Sequence, residues 1–119
     1  MTHKDFLAWE AASRDVIVTK RVYCDMVGDL AAGIMLSQIV YWHLPGKGGG
    51  SEHTKLRVKR GRDWWLAKNR AQWWDEVRLS PREADRALSI LRRRKLVVVV
   101  NSMFAGKRTP FIRINWPVF

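Results

Sequence analysis

Residues 80–100, SPREADRALSILRRRKLVVVV, change structural period within one uninterrupted stretch. Ser80 is a helix N-cap, Pro81 occupies the first helical position, where its missing N–H is no loss, and Glu83 stands three residues past the cap to close a capping box. The spacing predicts a helix over 81–95. From Leu96 the run LVVVV is almost wholly β-branched, and side chains restricted at χ1 favour extended backbone. A chain that passes from a marked helix directly into a strand must pack both on one core. The expected class is therefore α+β, mainly α with a small antiparallel β-sheet.

A helical wheel started at Ala84 and advanced about 100° per residue puts Ala87, Leu88 and Leu91 within about 60° of it, and these form the expected core face. Arg82, Arg86, Ser89 and Arg93 gather at roughly 140° to 200°, opposite that face. Arg92, Arg94 and Lys95 complement the negative end of the helix macrodipole, which accounts for them. It does not account for Arg82 and Arg86. They sit in the first two turns, where positive charge is unfavourable, and a polyanion outside the helix would compensate them.

The whole chain carries 22 Lys and Arg against 11 Asp and Glu, a formal charge of +11. Residues 1–54 hold five basic and six acidic side chains, whereas residues 55–119 hold seventeen and five. Charge segregated in this way attracts polyanions, and nucleic acid is the polyanion a small basic domain meets most often. Cys24, the single cysteine, cannot form an internal disulfide. The N-terminus lacks the apolar core of a signal peptide, and the most apolar stretch, 30–44, falls short of the roughly 20 residues a spanning helix needs. A cytoplasmic protein with no membrane association is expected.

Residues 1–28 read as an N-terminal extension and 29–119 as one domain. In the extension, residues 16–18 favour extended backbone and residues 19–28 a short helix ending near Gly28. From the N-cap Asp29 to the Leu44-Pro45-Gly46 stop, the pattern is a helix apolar nearly all round, expected at the centre of the core. Gly33 and Ser37 leave a flat strip on it where another helix can come close, and a homodimer through helix 29–44 is the partner option this raises. Residues 45–55, rich in glycine, read as a surface loop. They lack the GxxxxGK[ST] spacing of a phosphate-binding loop.

Beyond that loop, residues 63–67 suit a short strand with Trp64 and Leu66 on one face and Trp65 on the other. Asn69 can cap a helix over 70–78 bearing an apolar stripe of Trp73, Trp74 and Val77. Residues 110–116 form a second β-run paired with 96–100, and Ala105-Gly106-Lys107-Arg108 is the expected hairpin tip, with Gly106 supplying positive φ and two cations at the apex. A short helix, a tight VRLSP connection and a capped helix with an outward basic stripe make a helix-turn-helix, and the hairpin makes a wing.

These pieces resemble the winged-helix domains of phage and plasmid replication initiator proteins, in AAGIMLSQIVYWH, WWLAKNRAQWWDEVRLSPREADRALSILRRRKLVVVV and GKRTPFIRINW. The resemblance spans roughly residues 29–116 and implies double-stranded DNA as the partner, a role in replication, and contact with a replication-machinery protein. Transcription regulators use the same architecture. Larger initiators continue into further domains, so a stand-alone accessory DNA-binding protein fits as well as an initiator fragment.

Helix 81–95 is expected in the major groove, Arg82, Arg86 and Ser89 reaching base edges with Arg93 on the same stripe. The wing, residues 104–110, contributes Lys107, Arg108 and Thr109, and Lys68 and Arg70 at the start of the preceding helix join them on phosphates. A protein-interaction or dimerisation module without DNA binding is the rival class. Stacking on single strands requires exposed rings on a sheet, whereas Trp42, Trp73 and Trp74 fall on helical core stripes; Trp65 and Trp116 are the two left for exposure. His3, His43 and His53 lack zinc-site spacing, and Asp75 and Glu76 suit salt bridges better than a nuclease metal site. No enzyme activity, cofactor or metal is expected.

Overall fold

The computed structural model describes residues 1–45, 56 and 58–119. Among them lie five helices, α1 (His3–Ala12), α2 (Arg21–Val27), α3 (Leu30–His43), α4 (Arg70–Val77) and α5 (Pro81–Arg93). Four strands, β1 (Val58–Arg60), β2 (Asp63–Ala67), β3 (Val97–Phe104) and β4 (Lys107–Ile114), form an antiparallel sheet in the spatial order β1-β2-β4-β3. The fold is α+β. The glycine-rich segment expected as a surface loop falls almost wholly outside the described residues.

Local signals set the helix boundaries. Asp29 caps α3 by accepting from the Ala32 N–H, and reciprocal capping boxes open α4 (Asn69 with Gln72) and α5 (Ser80 with Glu83). Helix α5 stops two residues before the expected Lys95 because that residue takes φ 60°. The N–H groups of Lys95 and Leu96 turn back to the carbonyls of Arg92 and Leu91, a Schellman ending with lysine in the place glycine usually takes.

Helix α3 is the core element, with Ala31, Ala32, Met35, Leu36 and Ile39 buried. Ala84, Ala87 and Leu91 of α5 pack into the same cluster, as do Leu66, Val97, Ile112 and Ile114 on one face of the sheet. Each fully buried aliphatic of Leu or Ile size contributes about 1.5–3 kcal/mol. The flat strip on α3 is taken within the chain: a Cβ on Gly33 would sit 2.5 Å from the Cys24 backbone in α2, and the Ser37 hydroxyl accepts from the Lys20 N–H. Helix α2 is the close neighbour that Gly33 admits. His43, at the far end of α3, accepts from the Ile114 N–H and ties helix to sheet.

The N-terminal 28 residues behave as two pieces. Helix α2 belongs to the body through Val27 and Tyr23, whereas α1 buries no side chain. Residues 16–18 join no strand and stay exposed.

Several expectations on aromatics and the hairpin change. Trp73 is buried, but Trp74 is 48% exposed, because α4 is covered along only one narrow line. Trp65, left for exposure, is buried on the outer sheet face under the Arg113 guanidinium, and Trp116 is exposed. The hairpin tip is the two-residue turn Ala105-Gly106, both at positive φ (52° and 79°), so Lys107 and Arg108 open β4 instead of forming the apex. No helix among the described residues is long and apolar enough to cross a membrane.

Candidate nucleic-acid interface

Helices α4 and α5 are joined by Arg78, Leu79 and Ser80. Arg78 takes φ 57°, Leu79 is buried, and Ser80 caps α5, so the two helices are locked together by a three-residue turn. With Ala84, Ala87 and Leu91 inward, Arg82, Arg86, Ser89 and Arg93 are all exposed. Among the described residues Arg82 has no ion-pair partner.

One flank of α5 borders a groove of about 510 Å³ whose lining includes Arg70, Asp85, Leu88, Asn101, Lys107 and Arg108. The N-terminus of α4, the α5 flank and the end of the β3–β4 hairpin meet here. Three of the expected phosphate-contacting cations, Arg70, Lys107 and Arg108, are thereby brought to one side of α5. Arg70 is not free within it: its Nε and Nη2 donate to Oδ1 and Oδ2 of Asp85, both at 3.0 Å. This fork-on-carboxylate geometry holds the guanidinium pKa above its ordinary value.

On the other flank α5 meets the α2–α3 junction. Arg86 Nη1 donates to Asp29 Oδ2 at 2.6 Å, while Asp29 Oδ1 accepts from the Ala32 N–H. The Arg86 hydrogen bond, followed by that backbone N–H, holds the Asp29 carboxyl below the usual carboxylate range. Arg86 keeps half its side chain exposed, 52%, but the basic stripe is tethered at this point rather than wholly unpaired. Arg93 donates from Nε to the Ser89 carbonyl, and Arg94 reaches the Met26 carbonyl. At the helix start the Ser80 backbone N–H lowers the Glu83 pKa.

Two expected contact residues are buried, Lys68 at the wall of the same groove and Thr109 in the sheet. Lys68 is 3% exposed and its ammonium pairs with Glu76, lying 4.6 Å from the Trp42 ring centroid and 5.7 Å from that of Trp73. Glu76 also accepts from Gln38 and from the Trp42 indole. Its ammonium is committed inside the fold, where Lys68 pins α3, α4 and the end of β2 together. Thr109 is 5% exposed and donates to the Lys107 carbonyl, since strand alternation turns it to the same sheet side as buried Phe111.

The residues missed from sequence are Asp85, Asp29 as a partner of Arg86, and Asn101. Asp85 carried a local signal, since it lies between Leu88 and Ser89 on the wheel, at the edge of the basic stripe. Its bond to Arg70 spans fifteen positions and that of Asp29 to Arg86 fifty-seven, separations that no helical period encodes. Among the described residues no group of three His, Cys, Asp or Glu side chains could hold a metal ion. Compared with family models, with curated proteins and with solved structures, the chain matches none.

Proposed function

We propose that this protein binds double-stranded DNA as a winged helix-turn-helix, with α4 and α5 as the helix pair and the β3–β4 hairpin as the wing. The observation that carries the reading is the groove in which the flank of α5, Arg70 of α4 and Lys107 and Arg108 of the hairpin converge. An α-helix fits the roughly 12 Å width of the major groove, and an arginine can grip guanine O6 and N7 with two hydrogen bonds. Arg82, Arg86 and Ser89 are the base-reading candidates, with Arg93 behind them. Arg70, Lys107 and Arg108 fix the register on phosphates.

A salt-dependent mobility shift with duplex DNA tests it. About six neutralised phosphates give a slope of log affinity against log salt near −5. Replacing Arg82 and Arg86 with alanine is expected to weaken binding to a preferred sequence by about tenfold or more and to flatten its preference over random duplex. Replacing Lys107 and Arg108 should weaken both sequences alike and make the slope shallower by about two. If the first pair has no effect while the second abolishes binding, base reading by α5 is wrong. No shift even at low salt removes the DNA reading altogether.

A role in phage- or plasmid-type replication rests on the resemblance alone. Mapping bound genomic fragments to origin repeats or to promoters separates it from transcription regulation. One observation favours a protein-interaction module: Phe6, Leu7 and Trp9 of α1 are 44%, 51% and 57% exposed, an apolar surface with no cover among the described residues.

A further inference from the structure

Asp85 is an acidic side chain inside a cluster of cations, and folding gives it little reason to be there. Its partner Arg70 is 67% exposed and Asp85 itself 56%, so neither neutralises a buried charge. An ion pair in that setting adds little to stability. The α4–α5 contact it spans is already fixed by buried Val77, Leu79 and Ala84. Yet Asp85 takes the Nε–Nη2 fork of Arg70, two of its five N–H donors, and offsets its charge, and it stands in one groove with Lys107 and Arg108.

We propose that Asp85 is a specificity-determining residue that competes with backbone phosphate for Arg70, so that arbitrary duplex is bound weakly. This rests on the DNA-binding reading above. A phosphate approaching the Nε–Nη2 edge of Arg70 must displace a carboxylate, exchanging one charge-assisted pair for another, and one approaching the remaining N–H groups meets a cation already paired; either way the Asp85 carboxylate sits within a Debye length of the phosphate. The exchange yields little net affinity on a random backbone. Contacts to base edges are made only on a matching sequence, and they carry the difference. Asp85 subtracts from the sequence-independent part of binding and leaves the sequence-dependent part in place.

The test is a double-mutant cycle on the full chain, read by fluorescence anisotropy with a random-sequence duplex over a sodium chloride series. Asp85→Asn preserves side-chain shape. Asp85→Asn is expected to tighten random-duplex binding about threefold or more near 0.1 M salt and to steepen the log–log slope by nearly one. In an Arg70→Ala background the same change should tighten binding by less than half that factor.

Equal tightening with and without Arg70 would mean a general field effect and overturn the competition. So would a bound wild-type chain whose affinity does not move on Asp85→Asn; in both cases the DNA reading stands. Failure of the wild-type chain to bind any duplex at low salt ends both. Thermal unfolding of each variant, expected within about 2 °C of wild type for an exposed pair, excludes misfolding as the cause of a change.

Discussion

His43 shows how much depends on one ring. Its Nδ1 lies 2.7 Å from the Ile39 carbonyl and its Nε2 accepts from the Ile114 N–H at 3.3 Å, so the neutral form with the proton on Nδ1 satisfies both neighbours. Burial pushes its pKa below 6.5, with the Ile39 hydrogen bond opposing. A histidine with a lowered folded-state pKa binds fewer protons folded than unfolded. Its contribution to stability is therefore full above pH 6.5 and is lost as pH falls from there through the lowered value. The melting temperature should be higher at pH 7.5 than at pH 5.5, and His43→Gln, which keeps a donor and an acceptor but does not titrate, should remove most of that dependence. An unchanged pH profile in the variant would refute the assignment. The link from His43 to strand β4 was not legible in the sequence. Its burial follows from α3, but its partner lies 71 positions away. Lys68 misled for the same reason: beside Asn69 and Arg70 it reads as one more surface cation, and only the arrival of Trp42 and Glu76 turns it inward.

Elements whose ends are written in neighbouring residues were legible almost to the residue. The Asn69–Gln72 and Ser80–Glu83 boxes start α4 and α5 where the spacing predicts. The C-terminus of α5 was less so, since Lys95 is not the residue type that announces a left-handed ending. Its φ of 60° predicts that Lys95→Gly raises stability by about 0.5–1 kcal/mol, a few degrees in melting temperature. Arg94→Gly, one position earlier at φ −81°, should lower stability instead. Thermal denaturation of the two variants checks this, and a fall for both would mean the Lys95 side chain matters more than its backbone. The hairpin was seen with its turn misplaced, because Ala105 at positive φ is as uncharacteristic as Lys95. Helix α1 was not foreseen at all: with Phe6, Leu7 and Trp9 spread around it, no apolar stripe marks it as a helix that packs.

At the scale of the whole molecule, the radius of gyration of 16.4 Å exceeds the roughly 13–14 Å expected of a compact chain of this length. The stand-off of α1 accounts for part of this, since none of its residues enters the core. Deleting residues 1–12 should leave the melting temperature within about 2 °C while removing some ten residues of helical signal from circular dichroism. A large loss of stability would mean that the helix has cover in solution. The segregation of charge toward residues 55–119 was the most readable global property, and the proposed DNA face lies within it. What composition did not convey is that Arg70 and Arg86 within that half hold on to acids. One further feature bears on the shape of the face. Among the described residues strand β2 reaches β4 only at Phe111 and Ile112, with one more hydrogen bond to Pro110, so from Asn101 to Thr109 the hairpin runs on as a two-stranded ribbon. Two-stranded ribbons twist more strongly than wider sheets. The span between Arg108 and α5 is thus set by the ribbon's own twist and not by a third strand, like a caliper arm anchored at one end.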